Sequence, residues 1–296
     1  MVKDTWGREI THIRISITQK CNLNCLYCHR EGETEKNEIQ NGNEISASEI
    51  KRVVMVASEL GIKKVKITGG EPLLRKDIVD IVKEISDVKG IVDISMTTNG
   101  FFLNKFAYQL KSNGLNRINI GCDSLSSSIL QKNIKNIEEG IKSAADASLN
   151  PLKINMVVLK GINDNEINNM IEISKKYDTI LQLIELIPTN KIFFDQFFFS
   201  LEGIEKELER KANKIFVRDV NFRKQYLVDG AVVEVVRAHL NRNFCKNCRK
   251  IRITSDGFIK PCLIRNDNMV KINFNSDEEI MKSLLEGINK REIYYK

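Results

Sequence analysis

The feature that most constrains the fold is a repeated alternation of short strand-like and helix-like segments over the first two thirds of the chain. Strand candidates are 12–18, 64–68, 92–97, 117–121, 153–159 and 180–187. Between most of them apolar residues recur at helical spacing: Ile50, Val53, Val54 and Ala57; Ile78, Ile81, Val82 and Ile85; Leu103, Phe106, Ala107 and Leu110; Ile167, Met170 and Ile171. Ser46 with Glu49 reads as a capping box, Asp77 opens the second helix and Asp164 is a plausible N-cap. Six strands with interposed helices predict a parallel sheet or an open barrel.

The strands also alternate in chemistry. Ile13, Ile15 and Ile17 share one face, and Arg14, Ser16 and Thr18 the other. Val65 and Ile67 oppose Lys64, Lys66 and Thr68, and Ile94 and Met96 oppose Ser95 and Thr97. A closed, packed barrel carries branched apolar residues inside. Here the second face is polar and cationic, which suits a wet cavity for an anion if the apolar face meets the helices. A solvated antiparallel sheet would show the same pattern, but the interposed helices argue against it.

From about residue 213 the texture changes to short strands, 215–220, 223–228 and 231–237, with Asp229-Gly230 as a hairpin turn. Segments 251–254 and 258–261 flank Ser255-Asp256-Gly257, a second hairpin, and 278–289 reads as a closing helix. The chain is therefore divided into 1–212 and a smaller β-rich unit, 213–296. The run 193–199 holds five phenylalanines and could be core, lid or interface.

At 296 residues the chain has length for a sizeable core. It lacks an apolar run of membrane-spanning length, and its polar opening does not read as a signal peptide, so a cytoplasmic protein is expected. The net charge of +7 suits an anionic ligand, nucleic acid or plain solubility, and decides nothing alone.

The cysteines decide more. Six of the seven fall into two groups, Cys21, Cys25, Cys28 and Cys245, Cys248, Cys262; Cys122 stands apart and reads as a small buried residue. Tight spacing in a chain without a secretory signal points to metal or cluster ligation rather than disulfides. The first group has C-x3-C-x2-C spacing on a loop after a strand. Three thiolates hold three irons of a 4Fe–4S cubane, and the fourth iron is left for S-adenosylmethionine (SAM) to chelate. Zinc is the alternative, with His29 as a fourth ligand. A Thr68-Gly69-Gly70-Glu71-Pro72 turn follows the next strand, where glycines permit close backbone approach. The second group, C-x2-C-x13-C, fits a second cubane or a zinc site completed by His239. The nearby Arg249, Lys250 and Arg252 would suit a negatively charged substrate.

These motifs resemble the radical SAM superfamily, whose partial (βα)6 TIM-like barrel binds the methionine end of SAM at the Gly-Gly-Glu-Pro turn. The whole set resembles the GTP 3′,8-cyclase family of molybdenum-cofactor biosynthesis. It comprises Asp4-x-Trp6-Gly7-Arg8, Ile13-Arg14-Ile-Ser16-Ile-Thr18, Lys66 through Pro72, Thr97-Thr98-Asn99-Gly100, Lys160-Gly-Ile-Asn163-Asp164 and the C-terminal cysteine segment. The resemblance implies an α/β partial barrel with a small C-terminal cluster-binding domain, and two 4Fe–4S clusters with SAM. It also implies a 5′-deoxyadenosyl radical that takes hydrogen from C3′ of GTP before that carbon joins C8. By position it assigns Tyr27, Gly70 and Gly121 to SAM. It assigns Arg14, Lys66, Thr97, Lys160, Lys250, Ile251 and Arg252 to GTP, and the C-terminal cluster to the guanine. It implies an electron donor, a cyclic pyranopterin synthase that receives the product, and a homodimer.

The chain departs from the family pattern at four places. Arg249-Lys250-Ile251-Arg252 stands for the usual Asn-Arg-x-Arg, Gly121-Cys122-Asp123 for Ser-Leu-Asp, and Gln182 for a frequent Arg; a Gly-Gly tail is absent after Tyr294-Tyr295-Lys296. Two rival readings are a peptide-modifying radical SAM enzyme and a nucleic-acid-binding protein with zinc knuckles. The first would want additional C-terminal cysteines. The second would want basic patches with interleaved aromatics, which the phenylalanine run lacks.

Overall fold

A computed structural model of the chain describes residues 1–33, 44–125, 130–239 and 241–294, with Asn136 described only in its backbone. Tyr295 and Lys296 lie outside the described residues. The first two thirds form a βα repeat in chain order: β1 (His12–Ser16), α1 (Ala47–Glu59), β2 (Lys64–Thr68), α2 (Ile78–Ser86), β3 (Asp93–Thr98), α3 (Leu103–Ser112), β4 (Arg117–Gly121), α4 (Ile134–Asp146), β5 (Lys153–Val158), α5 (Ile167–Lys176) and β6 (Ile180–Glu185). Then come α6 (Lys191–Phe197), α7 (Glu202–Lys211), β7 (Lys214–Val217), β8 (Lys224–Val228) and β9 (Ala231–Val236). The chain closes with α8 (Arg242–Lys246), β10 (Lys250–Ile253), β11 (Phe258–Lys260), β12 (Val270–Lys271) and α9 (Asp277–Asn289).

The described strands form one sheet, ordered β12-β11-β10-β1-β2-β3-β4-β5-β6-β9-β8-β7. Strands β1 to β6 are parallel, as the interposed helices require. The C-terminal residues extend both edges of this sheet. β10 runs parallel to β1, setting Arg252 opposite Arg14, and β9 runs parallel to β6. They pair backbone groups that an open partial barrel would leave bare. β9 and β10 do not meet, so the barrel stays open.

The alternation of faces works as the pattern predicts. Ile13, Ile15, Val65, Ile67, Ile94, Met96, Ile118, Ile120, Ile154 and Met156 are buried in one core with the helices. Each such burial contributes roughly 1.5–3 kcal/mol. The opposite face carries Arg14, Lys66, Ser95, Thr97, Arg117, Asn119, Lys153, Asn155 and Gln182 into a cavity.

Ser46 and Glu49 form the expected capping box on α1, a feature typically contributing ~1 kcal/mol. The second helix opens after Asp77 as expected, but neither Asp77 nor Asp164 caps a helix with its side chain. Asp77 precedes α2, but its carboxylate takes the Arg75 guanidinium instead of a helix amide. Asp164 lies in a short 3-10 turn before α5, and its Oδ1 accepts from the Gly161 amide at 2.8 Å. In both places a nearer donor outcompetes the helix end. Phe193, Phe194 and Phe197 of the phenylalanine run lie in helix α6, and Phe198 follows its end. The Phe193/Phe197 and Phe194/Phe198 ring pairs belong to a satellite core with Leu130, Leu159 and Leu186. Helix α7 buries Leu208 alone, so it carries too little apolar stripe to be read from periodicity.

Candidate active site

The polar face of the sheet bounds a cavity of about 810 Å³ that both cysteine groups line. The first group sits on the loop leaving β1. That loop is laced to the turn after β2: the Gly70 amide donates to Thr18 O at 2.7 Å and the Glu71 amide to Lys20 O at 2.8 Å. A Cβ on Gly69 would collide with the Thr18 carbonyl oxygen, and one on Gly70 with the Gln19 and Lys20 carbonyls. The glycines therefore admit the chain's own cysteine loop first. Glu71 is fully buried and accepts from Thr98 Oγ1 at 2.6 Å, the Asn99 amide at 2.7 Å and the Leu73 amide at 3.0 Å. Burial pushes its carboxyl pKa up. Asn99 Nδ2 in turn donates to Asn22 Oδ1 at 2.8 Å, inside the cysteine loop. Strand ends β1, β2 and β3 thus fix the loop through a continuous hydrogen-bond chain.

Tyr27, Gly70 and Gly121, the residues expected to meet SAM, all line this part of the cavity. The Tyr27 hydroxyl donates to Asp123, whose other oxygen accepts from the Val157 amide at 2.8 Å. Burial raises the pKa of the Asp123 carboxyl. Sequence reasoning missed Lys132. Its side chain passes over Gly121, where a Cβ would stand 3.0 Å from it. Burial opposes its charge, but Asp123, Cys25, Cys28 and Cys21 outweigh burial and raise its pKa. No helical or strand periodicity marks this lysine, so only packing reveals it.

The donor set fits a cubane. Cys21, Cys25 and Cys28 are free thiols on one loop, with a cation, Lys132, beside them to offset thiolate charge. A cubane asks each thiolate to bind a different iron, whereas zinc gathers its donors about one point. His29, next to Cys28, is half-buried, with its buried Nδ1 unpartnered among the described residues and its pKa lowered by desolvation to about 4. His239 is elsewhere, its ring 4.8 Å from Phe194 and 5.6 Å from Phe198. Cys122 is buried, its thiol pushed up by burial to about 12.

The second group is held by the two ends of the chain. Asp4, buried, pairs with Arg8 at 2.7 Å and Arg291 at 2.6 Å. Arg8 Nη1 donates to the Cys245 carbonyl at 3.0 Å, and Arg291 Nη2 to the Cys248 carbonyl at 2.7 Å. Trp6 Nε1 donates to the Arg291 carbonyl at 2.9 Å. The opening Asp4-x-Trp6-Gly7-Arg8 motif is thus a clamp on the second cysteine segment. Burial opposes ionisation of Cys248, but Arg291, Lys250 and Arg252 pull its thiol down to about 7.

Between the two groups lies a cradle of cations. Arg14 and Arg252, from adjacent strands, share one carboxylate, Glu31, with Arg252 at 3.1 Å. Burial alone would raise the Glu31 pKa, but Arg14, His29 and Arg252 hold it at about 2. Lys66 and Lys250 are half-buried among further cations, and desolvation with like-charge repulsion drives both pKa values well below the ordinary lysine range. Arg14 Nε, Thr97 Oγ1 and Asn119 Oδ1 are buried atoms on the cavity wall with no hydrogen-bond partner among the described residues. Buried polar atoms are normally satisfied, so these point to a ligand.

Two expected GTP contacts are not brought here. Lys160 is exposed beyond the end of β5, outside the cavity lining, and its amide donates to Phe197 O at 2.9 Å. Ile251 lies in the core, because alternation along β10 sends only Lys250 and Arg252 to the cavity.

Comparison with known proteins agrees with this geometry. A profile of the radical SAM superfamily matches residues 15–173, and one described as Molybdenum Cofactor Synthesis C matches residues 179–296. A "Probable GTP 3′,8-cyclase" of Archaeoglobus fulgidus is 40% identical, covering 100% of both chains. One from Methanocaldococcus jannaschii is 41% identical, covering 100% of this chain and 99% of that one. The chain belongs to the GTP 3′,8-cyclase family. As a radical SAM protein it is a member of a superfamily built around a 4Fe–4S cluster and SAM. Among solved structures, Streptococcus suis SuiB bound to S-adenosylmethionine superposes with a TM-score of 0.70 at 17% identity, covering 95% of this chain and 68% of that one. The anSMEcpe structure with bound AdoMet gives 0.61 at 16%, covering 93% and 81%. Both show the fold, a partial barrel.

Proposed function

We propose that this member of the GTP 3′,8-cyclase family converts GTP to (8S)-3′,8-cyclo-7,8-dihydroguanosine 5′-triphosphate, the first step of molybdenum-cofactor biosynthesis. The observation that carries the reading is the cavity between the cysteine groups, whose lining holds more cations than carboxylates. Among the described residues Arg14 and Arg252 share Glu31, Lys66 and Lys250 stand beside them without a paired carboxylate, and a polyphosphate relieves that imbalance. The same cradle disfavours a peptide substrate.

Cys21, Cys25 and Cys28 hold the SAM-binding cluster, which when bound supplies the electron that cleaves SAM. Tyr27, Gly70 and Gly121 line the SAM side, with Asp123 and Lys132 behind them. Cys245, Cys248 and Cys262 hold a second 4Fe–4S cluster at the guanine side. Arg14, Lys66, Thr97, Lys250 and Arg252 hold GTP between. Residues 213–296 act as the substrate- and cluster-binding unit while sharing the barrel sheet. A separate reductant supplies electrons, a cyclic pyranopterin synthase takes the product, and the protein acts in the cytoplasm as a homodimer. Among the described residues no helix is long and apolar enough to cross a membrane.

The test is to reconstitute the protein anaerobically with iron and sulfide, reduce it and supply SAM and GTP. Mass spectrometry should find 5′-deoxyadenosine and the cyclised nucleotide. Deoxyadenosine with no GTP-derived product would overturn the substrate while keeping SAM cleavage.

A further inference from the structure

The hairpin β7–β8 brings two arginines to the cavity that none of the family motifs contains, Arg218 and Arg223. They converge on Glu234 of β9, which is fully buried: Arg223 Nη1 lies 2.7 Å from Oε1 and Arg218 Nη1 3.1 Å from Oε2. Lys153 of β5 reaches the same carboxylate at 2.5 Å. Gln182 and Gln225 each donate to it at 2.6 Å. One carboxylate therefore serves three cations, all three of which line the cavity.

Both glutamine amides and all three cations hold Glu234 rigidly, so it acts as an anchor that aims the arginine forks. A guanidinium carries five donors, and each arginine uses only part of its set on Glu234. The hairpin is also tied to the second cysteine group. At its tip the Asn221 amide donates to Asn247 O at 2.9 Å and Asn221 Nδ2 to Phe244 O at 2.8 Å. Asn221 and Phe222 take positive φ, 62° and 49°, so the turn is tight. Arg223 is consequently held between Glu234 and the segment bearing Cys248, on the wall across which the substrate must lie. Three cations on one carboxylate leave an excess of positive charge on the cavity wall, which favours an anion there.

We infer that Arg223 and Arg218 are substrate-binding residues that read the polyphosphate of the nucleotide, extending the Arg14, Lys66, Lys250 and Arg252 cradle to the far side of the cavity. The inference rests on the proposed polyphosphate substrate but not on the cyclisation chemistry. On this assignment the added arginines favour a triphosphate over a monophosphate.

The experiment is calorimetric titration of the reconstituted protein with GTP, GMP and inorganic tripolyphosphate, on the parent and on Arg223→Ala, Arg223→Lys and Arg218→Ala. Arg223→Ala leaves Glu234 with two cations, so the fold should persist; circular dichroism checks this. Arg223→Ala should weaken GTP and tripolyphosphate about tenfold or more and GMP far less, as loss of a charged hydrogen bond predicts. Arg223→Lys should recover part of the loss, and Arg218→Ala, more exposed, should lose less. Equal loss for GTP and GMP, or unchanged GTP affinity in a folded Arg223→Ala, overturns the inference. So does a parent protein that binds neither GTP nor tripolyphosphate. Tripolyphosphate binding that depends on Arg223, in a protein that forms no cyclised nucleotide, sinks the proposed reaction and leaves the arginine assignment standing.

Discussion

The two cysteine groups line the same cavity, but they are held by opposite means. Cys21, Cys25 and Cys28 occupy one short loop, braced by the ends of β1, β2 and β3 through Gly70, Glu71 and Asn99. Cys245, Cys248 and Cys262 span a strand and a hairpin, and the Cys245 and Cys248 carbonyls are gripped from both chain ends by Arg8 and Arg291 through Asp4. The first site is a property of a loop. The second exists only once residues nearly three hundred positions apart have met. A local site survives distant perturbation, and a clamped one does not.

The sharpest way to break this comparison is to remove one thiol from each group. Cys21→Ala should abolish 5′-deoxyadenosine formation. Cys262→Ala should keep deoxyadenosine while abolishing the cyclised nucleotide. Identical behaviour of the two variants would erase the division of labour. A smaller effect is expected at the clamp. Asp4→Ala strands two buried arginines and should cost the apo protein roughly 3 kcal/mol in urea unfolding, the scale of a broken buried ion pair. On reconstitution it should lower the iron content of the second site while SAM cleavage persists; equal damage to both sites would show that the clamp is not specific.

The smallest effect concerns Glu31, which joins the two regions through Arg14 of β1 and Arg252 of β10. Its folded pKa of about 2 lies below the ordinary value of 4.5. Its contribution to stability is therefore present above about pH 4.5 and is lost as pH falls toward 2. The apo protein should lose Tm on acidification from pH ~5 to ~3 with a steeper slope than Glu31→Gln. Equal slopes would show that the carboxylate is not held down by its arginines.

The strands of the barrel were legible because two-residue alternation is local: Arg14, Lys66 and Thr97 could be placed on the cavity face from sequence spacing alone. The first cysteine group was legible for the same reason. The same alternation, applied to β10, would have excluded the Ile251 side chain from the cavity. Lys160 was assigned by position in the resemblance alone, since no periodicity constrains a residue past a strand end. Lys132, Arg218 and Arg223 carry no local pattern at all, since what defines them is the carboxylate or thiol each meets in the fold.

By itself the sequence determined the βα order, the polar cavity face and two sets of three thiols, because each is written within a few neighbouring residues. Only the tertiary structure decided that β9 and β10 would extend the two open edges of the barrel and set the cysteine groups on one cavity. It also decided which cations would crowd between them, because pairing partners far apart in sequence leave no periodic trace until the chain has packed.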